Sequence, residues 1–292
     1  VIDNDSSDGS YEYIKKNYSD ITLIKSEVNS GFAIGNNKLI KECMKDRTVT
    51  HIALINSDAV IDKRWSVEII DGLKGKQRVA CAQGTTLDYY DHETIDSQHI
   101  YISDNFQSIQ YGYTHAYDED YAYIRKVFGV NAAAAVYTRG FIETQPGNVL
   151  FDERFYMYLE DVDVAFRSIM AGWNNYYIPK AKAYHMGSVS AKKRSNGYNY
   201  YMTYRNQMAL IVKNAPLHTI VRFFLNSLRN DVRFYRHYKR EDKIILASII
   251  KGRIIGLVRA PTYITSRIQL KRGHAISSDQ LERAMQNEGI FR

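Results

Sequence analysis

From Val1 to about Gly84, short apolar runs alternate with stretches of helical character, and this alternation constrains the fold more than any other feature of the chain. "VID" leads through "NDSSDGS" into "YEYIKKNY", and "ITLIKS" precedes the helix-like "AIGNNKLIKECMK". Then "HIALIN", "WSVEIIDGLKG" and "VACAQG" continue the pattern. Strands alternating with helices predict βαβ units, hence an α/β fold with a mixed, mostly parallel sheet. A central strand usually runs about five or six residues. "VID" reads as the end of such a strand, so most of the first strand and the natural start are expected to lie outside this sequence. Residues 85–126 are polar and tyrosine-rich, which predicts an excursion of hairpins and loops. A buried segment "VFGVNAAAAVYTR", a helix "LEDVDVAFRSIMAGW", a strand "NNYYIP" and the stretch "KAYHMGSVS" follow.

The last part of the chain differs in charge. Residues 213–292 hold 16 Lys/Arg against 6 Asp/Glu, whereas the remainder holds 23 against 26. The basic excess therefore belongs to a C-terminal region, 213–292, appended to a domain spanning 1–212. Its apolar residues Leu217, Ile220, Val221, Phe224, Leu225, Leu228 and Val232 fall at helical spacing, and Arg222, Arg229, Arg233, Arg236 and Arg240 form a second stripe. Two readings stay open: helices packed on the domain with arginines in water, or a basic amphipathic patch on an anionic membrane surface. No nucleic-acid-binding motif accompanies the charge, so nucleic acid is not expected as a partner. No apolar run reaches the roughly 18 residues of a spanning helix. The two cysteines, Cys43 and Cys81, have no CxxC spacing, which argues against a disulfide scaffold or a zinc site and fits a reducing compartment.

Four short stretches could carry chemistry. In "VIDNDSSDGS", Asp3 stands at the C-terminal end of a strand, where open α/β sheets bind ligands, although Asp, Asn, Ser and Gly are also turn residues. In "LINSDAV", Asn56 and Asp58 reach a strand end with one residue between them, a spacing that can share a divalent cation with phosphate oxygens, or simply form an Asx turn. In "YLEDVDVAFR", Asp163 and Arg167 are i,i+4 partners. Glu160, Asp161 and Asp163 suit a helix N-terminus, yet three acids in four residues exceed what a cap needs. A bound cation or a tuned pKa would account for the excess. In "AYHMGS", His185 ends an apolar run, as a structural histidine or as a ligand.

Taken in order, "VIDNDSSDGS", "NSGFAIGNN", "LINSD", "YLEDVDVAFR" and "YHMGS" resemble the family-2 inverting glycosyltransferases, and within them the bacterial rhamnosyltransferase and galactofuranosyltransferase branch. The resemblance covers roughly residues 1–212. It implies a GT-A fold, with a Rossmann-like nucleotide-binding half joined to an acceptor-binding half, a divalent metal (Mg2+ or Mn2+) and a dTDP- or UDP-sugar donor. By the same resemblance Asp3 contacts the nucleotide base, with Asn4 and Asp5 beside it. Asn29, Gly31 and Asn36 lie in the glycine-containing segment near the nucleotide. Asn56 and Asp58 form the DxD-like motif, Asp58 touching ribose and metal; Asp161 is the catalytic base and His185 a metal ligand. Ser57 stands where the family usually has proline. The implied activity is inverting transfer of a rhamnose- or galactofuranose-like sugar to a cell-surface glycan or lipid-linked acceptor, in the cytoplasm at the inner face of the plasma membrane. A non-catalytic sugar-nucleotide or glycan-binding module of the same fold is the alternative. A nucleotidyltransferase would show a glycine-rich loop with Lys or Arg for a triphosphate, and residues 1–40 contain none.

Overall fold

The computed structural model describes residues 1–103, 106–119, 123–187, 196–221, 223, 225–226, 243–272 and 275–286. The alternation expected from Val1 to Gly84 is present, with one unexpected strand, Ala59–Ile61, directly after the strand His51–Ile55. Strand β1 (Ile2–Asn4) is followed by helix α1 (Ser10–Asn17), β2 (Ile24–Ser26), α2 (Gly31–Cys43), β3 (His51–Ile55), β4 (Ala59–Ile61), α3 (Trp65–Leu73) and β5 (Val79–Asp88). Then come β6 (Ile95–Ser97), β7 (Ile100–Ile102), β8 (Ser108–Gln110), β9 (Arg125–Val127), β10 (Ala134–Thr138), α4 (Arg139–Glu143), α5 (Glu160–Met170) and β11 (Asn174–His185). Among the described residues, helices α6 (Asn196–Asn214), α7 (Lys243–Arg259), α8 (Pro261–Arg272) and α9 (Ser278–Met285) follow.

The main sheet is mixed. Its backbone order is β3-β10-β5-β11-β4, with β6 on β5 and β9 on β11. The long strands β5 and β11 pair in parallel, and β10 runs antiparallel between β3 and β5, so β3, β5 and β11 share one direction. β1 and β2 form a separate parallel pair. Every interior residue of β5 is buried, as expected of a strand covered on both faces. The strand also continues through Asp88, so the excursion expected from residue 85 begins four residues later. That segment is less polar inside than it reads, because Ile95, Ile100 and Ile102 point into the core and β7 pairs with β8 as a hairpin. Its tyrosines take the outside: Tyr90, Tyr111 and Tyr113 are exposed.

Helix α5 owes its position to a core shared with the C-terminal helices. Val162, Ala165, Phe166 and Met170 pack in one cluster with Met208 of α6, Tyr263 of α8 and Leu281 of α9. Helices α6 and α7 approach closely because α7 carries glycines at the contact. A Cβ on Gly252 would lie 2.5 Å from the Tyr201 carbonyl oxygen, and one on Gly256 2.7 Å from that of Arg205. The boundary expected between 212 and 213 falls inside α6, whose last turn reaches Asn214. The arginine stripe from Arg222 to Arg240 lies outside the described residues. Among the described residues no helix is long and apolar enough to cross a membrane.

Candidate active site

Asn4, at the end of β1, gathers the 29–31 loop. Its amide donates to the Gly31 carbonyl (3.1 Å) and to Asn29 Oδ1 (3.5 Å), and its Oδ1 accepts from the Ser30 N–H and hydroxyl, both at 3.0 Å. Gly31 is required here: its φ is +76°, and a Cβ would lie 2.5 Å from the Tyr156 ring. Tyr156 closes the loop from the other side, donating its hydroxyl to Asn29 Oδ1 at 3.1 Å. Asp3 is buried and accepts from the Ser6 N–H, while Asp5 is exposed at φ +68°. Asn36 spends its amide on the Phe32 carbonyl of its own helix. Its neighbour Asn37, buried, is the residue that reaches across the fold, exchanging hydrogen bonds with the Phe151 backbone (2.9 and 3.0 Å).

A second cluster forms where the end of β11 meets the start of β4 and the middle of β6. The Met186 N–H donates to the Asp58 carbonyl, which fixes the strand ends against each other. His185 Nε2 then lies 3.4 Å from Asp58 Oδ1, and His185 Nδ1 lies 3.0 Å from Asp96 Oδ2. Burial lowers the His185 pKa, but the hydrogen bonds and charges of Asp58 and Asp96 outweigh it and raise the ring to about 9. The His185 partnership lowers Asp58 more than its partial burial raises it. Once a divalent cation displaces the proton on Nε2, a carboxylate oxygen and an imidazole nitrogen this close are a donor pair for it. Among the described residues no group of three or more His, Cys, Asp or Glu is arranged to hold a metal. The pair therefore fits a cation whose remaining positions are filled by phosphate oxygens and water, which is how Mg2+ commonly sits at nucleotide sites.

The third cluster is the start of α5. Its N-cap is Leu159, in the left-handed region and with no capping side chain. Tyr156, Tyr158 and Leu159 all have φ near +67°, a run of strained non-glycine residues directly ahead of the acids. Asn206 of α6 holds this turn, its amide lying 3.0, 2.8 and 2.7 Å from the carbonyls of Phe155, Met157 and Tyr158. The three acids then diverge. Asp163 is fully buried and bridges Arg167 and Lys213, both at 2.8 Å. Glu160 is 6% exposed, its Oε2 is buried without a hydrogen-bond partner, and burial, then the charges of Asp161 and Asp163, push its pKa well above the usual carboxylate range. Asp161 accepts from the N–H groups of Val162 (2.8 Å) and Ala132 (3.4 Å), and burial raises its pKa to about 6 against those bonds.

Hydrogen bonds join the second and third clusters. Asp161 meets Ala132; the next residue, Ala133, accepts from the Asn56 N–H at 2.9 Å. Gln83, fully buried in β5, accepts from the Asn131 N–H (2.6 Å) and donates to Ser97 (3.2 Å), the neighbour of Asp96. Residues 131–133 thus bridge Asp161 to the strand ends that carry Asp58, Asp96 and His185. Asp96, Gln83, Asn131 and Asn206 were not legible as site residues, because none stands in a motif and each matters only through a partner distant in sequence. Asn37 carried a faint signal, as the second asparagine of "GNN".

Residues 1–136 match the model of glycosyl transferase family 2. Among solved structures, the crystal structure of GalNAc-T7 with UDP, GalNAc and Mn2+ is similar in fold, with a TM-score of 0.57 and 10% identity over 92% of this chain and 50% of that one. The present chain thus spans half the length of that protein's chain. The mannosyltransferase PcManGT from Pyrobaculum calidifontis, in complex with GDP-Man and Mn2+, aligns over 99% of this chain and 78% of its own at 14% identity, with a TM-score of 0.49. No curated protein sequence matches the chain. The chain has a GT-A-like α/β fold, and its first 136 residues match glycosyl transferase family 2.

Proposed function

We propose that the chain transfers a sugar from a nucleoside diphosphate donor to a hydroxyl of a glycan or lipid-linked acceptor, with inversion at the anomeric carbon and Asp161 as general base. One observation carries the reading: a carboxylate raised to about 6 is hydrogen-bonded, through residues 131–133, to the strand end where Asp58 meets His185. Near neutral pH such a group is ionised yet basic enough to take a proton. Asp161 accepts the proton of the acceptor hydroxyl, whose oxygen forms its bond to the anomeric carbon as the bond to the diphosphate breaks on the opposite face. Burial, then the charges of Asp161 and Asp163, shift Glu160 toward its protonated form, which lessens charge repulsion beside Asp161. Asp58 and His185 would hold a divalent cation, Mg2+ or Mn2+, which when bound supplies charge stabilisation to the departing nucleoside diphosphate. Asp3, Asn4, Asp5, Asn29, Gly31 and Asn36 are the candidates for the donor's nucleoside, with Asn4 organising the loop.

The acceptor saccharide enters through a cleft of about 310 Å³ beside the N-terminus of α5, lined by Phe106, Leu159, Asn199, Tyr200, Tyr204 and Gln207. Rings with polar edges and side-chain amides suit sugar faces and hydroxyls. The donor is a deoxyhexose or furanose nucleotide. The basic region 213–292 serves an anionic membrane surface. In support, α7 exposes Ile250, Ile254, Leu257 and Val258 beside Lys251 on the side away from Gly252 and Gly256. Thermal shift with dTDP-rhamnose, UDP-galactofuranose, UDP-galactose and UDP-glucose, with and without Mn2+, tests the donor. Turnover of the stabilising donor by the wild type and its loss in Asp161→Asn tests the reaction. Donor binding without any transfer or hydrolysis would instead make the chain a sugar-nucleotide-binding module. Binding to anionic but not neutral vesicles, weakening with salt, tests the membrane reading.

A further inference from the structure

His185 is flanked on two sides by aspartate carboxylates at different distances. The contact to Asp58 is loose, 3.4 Å from Nε2, whereas the contact to Asp96 is a well-formed hydrogen bond, 3.0 Å from Nδ1. All three side chains are largely shielded, at 13% exposure for His185, 15% for Asp96 and 18% for Asp58. Asp96 is also rigidly mounted. It is the central residue of β6, between buried Ile95 and Ser97, and β6 pairs with β5 through Thr86 and Leu87. Ser97 is clamped in turn by the Gln83 amide at 3.2 Å.

An imidazole that binds a cation through one nitrogen needs a partner for the N–H on the other, and that partner decides which nitrogen is left with a lone pair. We propose that Asp96 is a positioning residue for the cation site: it accepts the Nδ1 hydrogen of His185 and sets the ring plane, so that a divalent cation displaces the proton on Nε2, beside Asp58, and not the one on Nδ1. The proposal rests on the reading of Asp58 and His185 as cation ligands. Gln83 extends the same arrangement, since one side chain braces both the strand that carries Asp96 and the loop that meets Asp161.

The test is a titration of the full chain with Mn2+ in the presence of UDP, which supplies the phosphate oxygens, read by electron paramagnetic resonance, on the wild type, Asp96→Asn, Asp96→Glu and His185→Ala. Loss of a partner hydrogen-bonded to a ligand histidine typically costs about 10–100-fold in metal affinity. Asp96→Asn is expected to fall by that factor and Asp96→Glu to recover part of it. A merely structural ion pair would lower the melting temperature of Asp96→Asn and leave Mn2+ affinity at the wild-type value, which overturns the proposal. Unchanged affinity in His185→Ala refutes the ligand reading itself, whereas loss in His185→Ala with none in Asp96→Asn refutes only the role of Asp96. Should the variants not fold, the wild type suffices. Long-range proton–nitrogen NMR of the Mg2+- and UDP-loaded chain is expected to find the His185 proton on Nδ1, and a proton on Nε2 instead overturns the proposal.

Discussion

Asp161 and Glu160 are adjacent carboxyls that burial raises together, the Asp161 charge pushing Glu160 higher still. General-base help is typically worth about 10²–10⁴ in rate, so Asp161→Asn is expected to lose turnover by that factor while binding donor like the wild type in a thermal-shift assay. Since burial raises the Asp161 carboxyl to about 6, kcat/KM should fall about tenfold per pH unit below that value, and the acidic limb of the pH–rate profile reports it. Glu160 is pushed well above the usual range by burial and by its acidic neighbours. A neutral isostere should therefore be tolerated: Glu160→Gln is expected to keep turnover within a few-fold of the wild type. A loss as large as that of Asp161→Asn would mean that Glu160 takes part in the chemistry. That acids at 160–163 exceed a cap was visible in their spacing. Which acid does what was not, because the division depends on Lys213 and Arg167 reaching Asp163 but leaving Asp161 to backbone N–H groups.

At the scale of the element, α5 is a helix whose entry is held from outside. Its strained turn, with Tyr156, Tyr158 and Leu159 in the left-handed region, persists because Asn206 gathers three carbonyls and Arg205 donates to the Phe155 carbonyl at 2.6 Å. Each such residue costs about 1–3 kcal/mol in isolation. Asn206→Ala removes one donor from each of the three carbonyls and should cost about 1–3 kcal/mol. The expected outcome is a lower melting temperature together with a drop in kcat that exceeds the change in donor affinity, checked by calorimetry and steady-state kinetics. The periodicity of "LEDVDVAFRSIMAGW" makes the helix legible, but not its entry: no local rule places Tyr, Tyr and Leu at positive φ. The same holds for β10, since a run of alanines reads as buried without revealing that it inserts antiparallel between β3 and β5.

For the whole molecule, the ionic network of Asp152, Asp163, Arg154, Arg167 and Lys213 ties α5 to the end of α6. Lys213 lies 2.7 Å from Asp152 and 2.8 Å from Asp163, and Asn214 donates to Asp163 at 3.0 Å. Burial alone would raise both carboxyls. Arg154 and Lys213 at Asp152, and Lys213 and Arg167 at Asp163, hold them below the usual range instead. A depressed folded pKa stabilises fully above the unfolded value of about 4 and loses that contribution as pH falls through and below it. The melting temperature is therefore expected to drop as pH is lowered from about 4, more steeply than pairing on the surface would produce. Lys213→Met removes the shared cation from both carboxylates, leaving Asp152 with Arg154 and Asp163 with Arg167 and Asn214, and should cost up to about 3–5 kcal/mol in denaturant unfolding at neutral pH.

What the sequence determined by itself was the class of fold and the candidates. Hydrophobic periodicity is local, so alternating strands and helices were readable from Val1 to Gly84, and Asp3, Asp58, Asp161 and His185 stood out by residue type at strand and helix ends. Only the tertiary structure decided which of these meet. Asp58 reaches His185 because β4, which it precedes, pairs with β11, Asp96 arrives on β6, and residues 131–133 carry Asp161 toward the same place. Those meetings depend on strand order and on buried side chains such as Gln83 and Asn206, whose partners lie tens of residues away. Hydrogen bonding at that range leaves no period in the sequence, because it is the packed sheet and not the neighbouring residues that brings donor to acceptor.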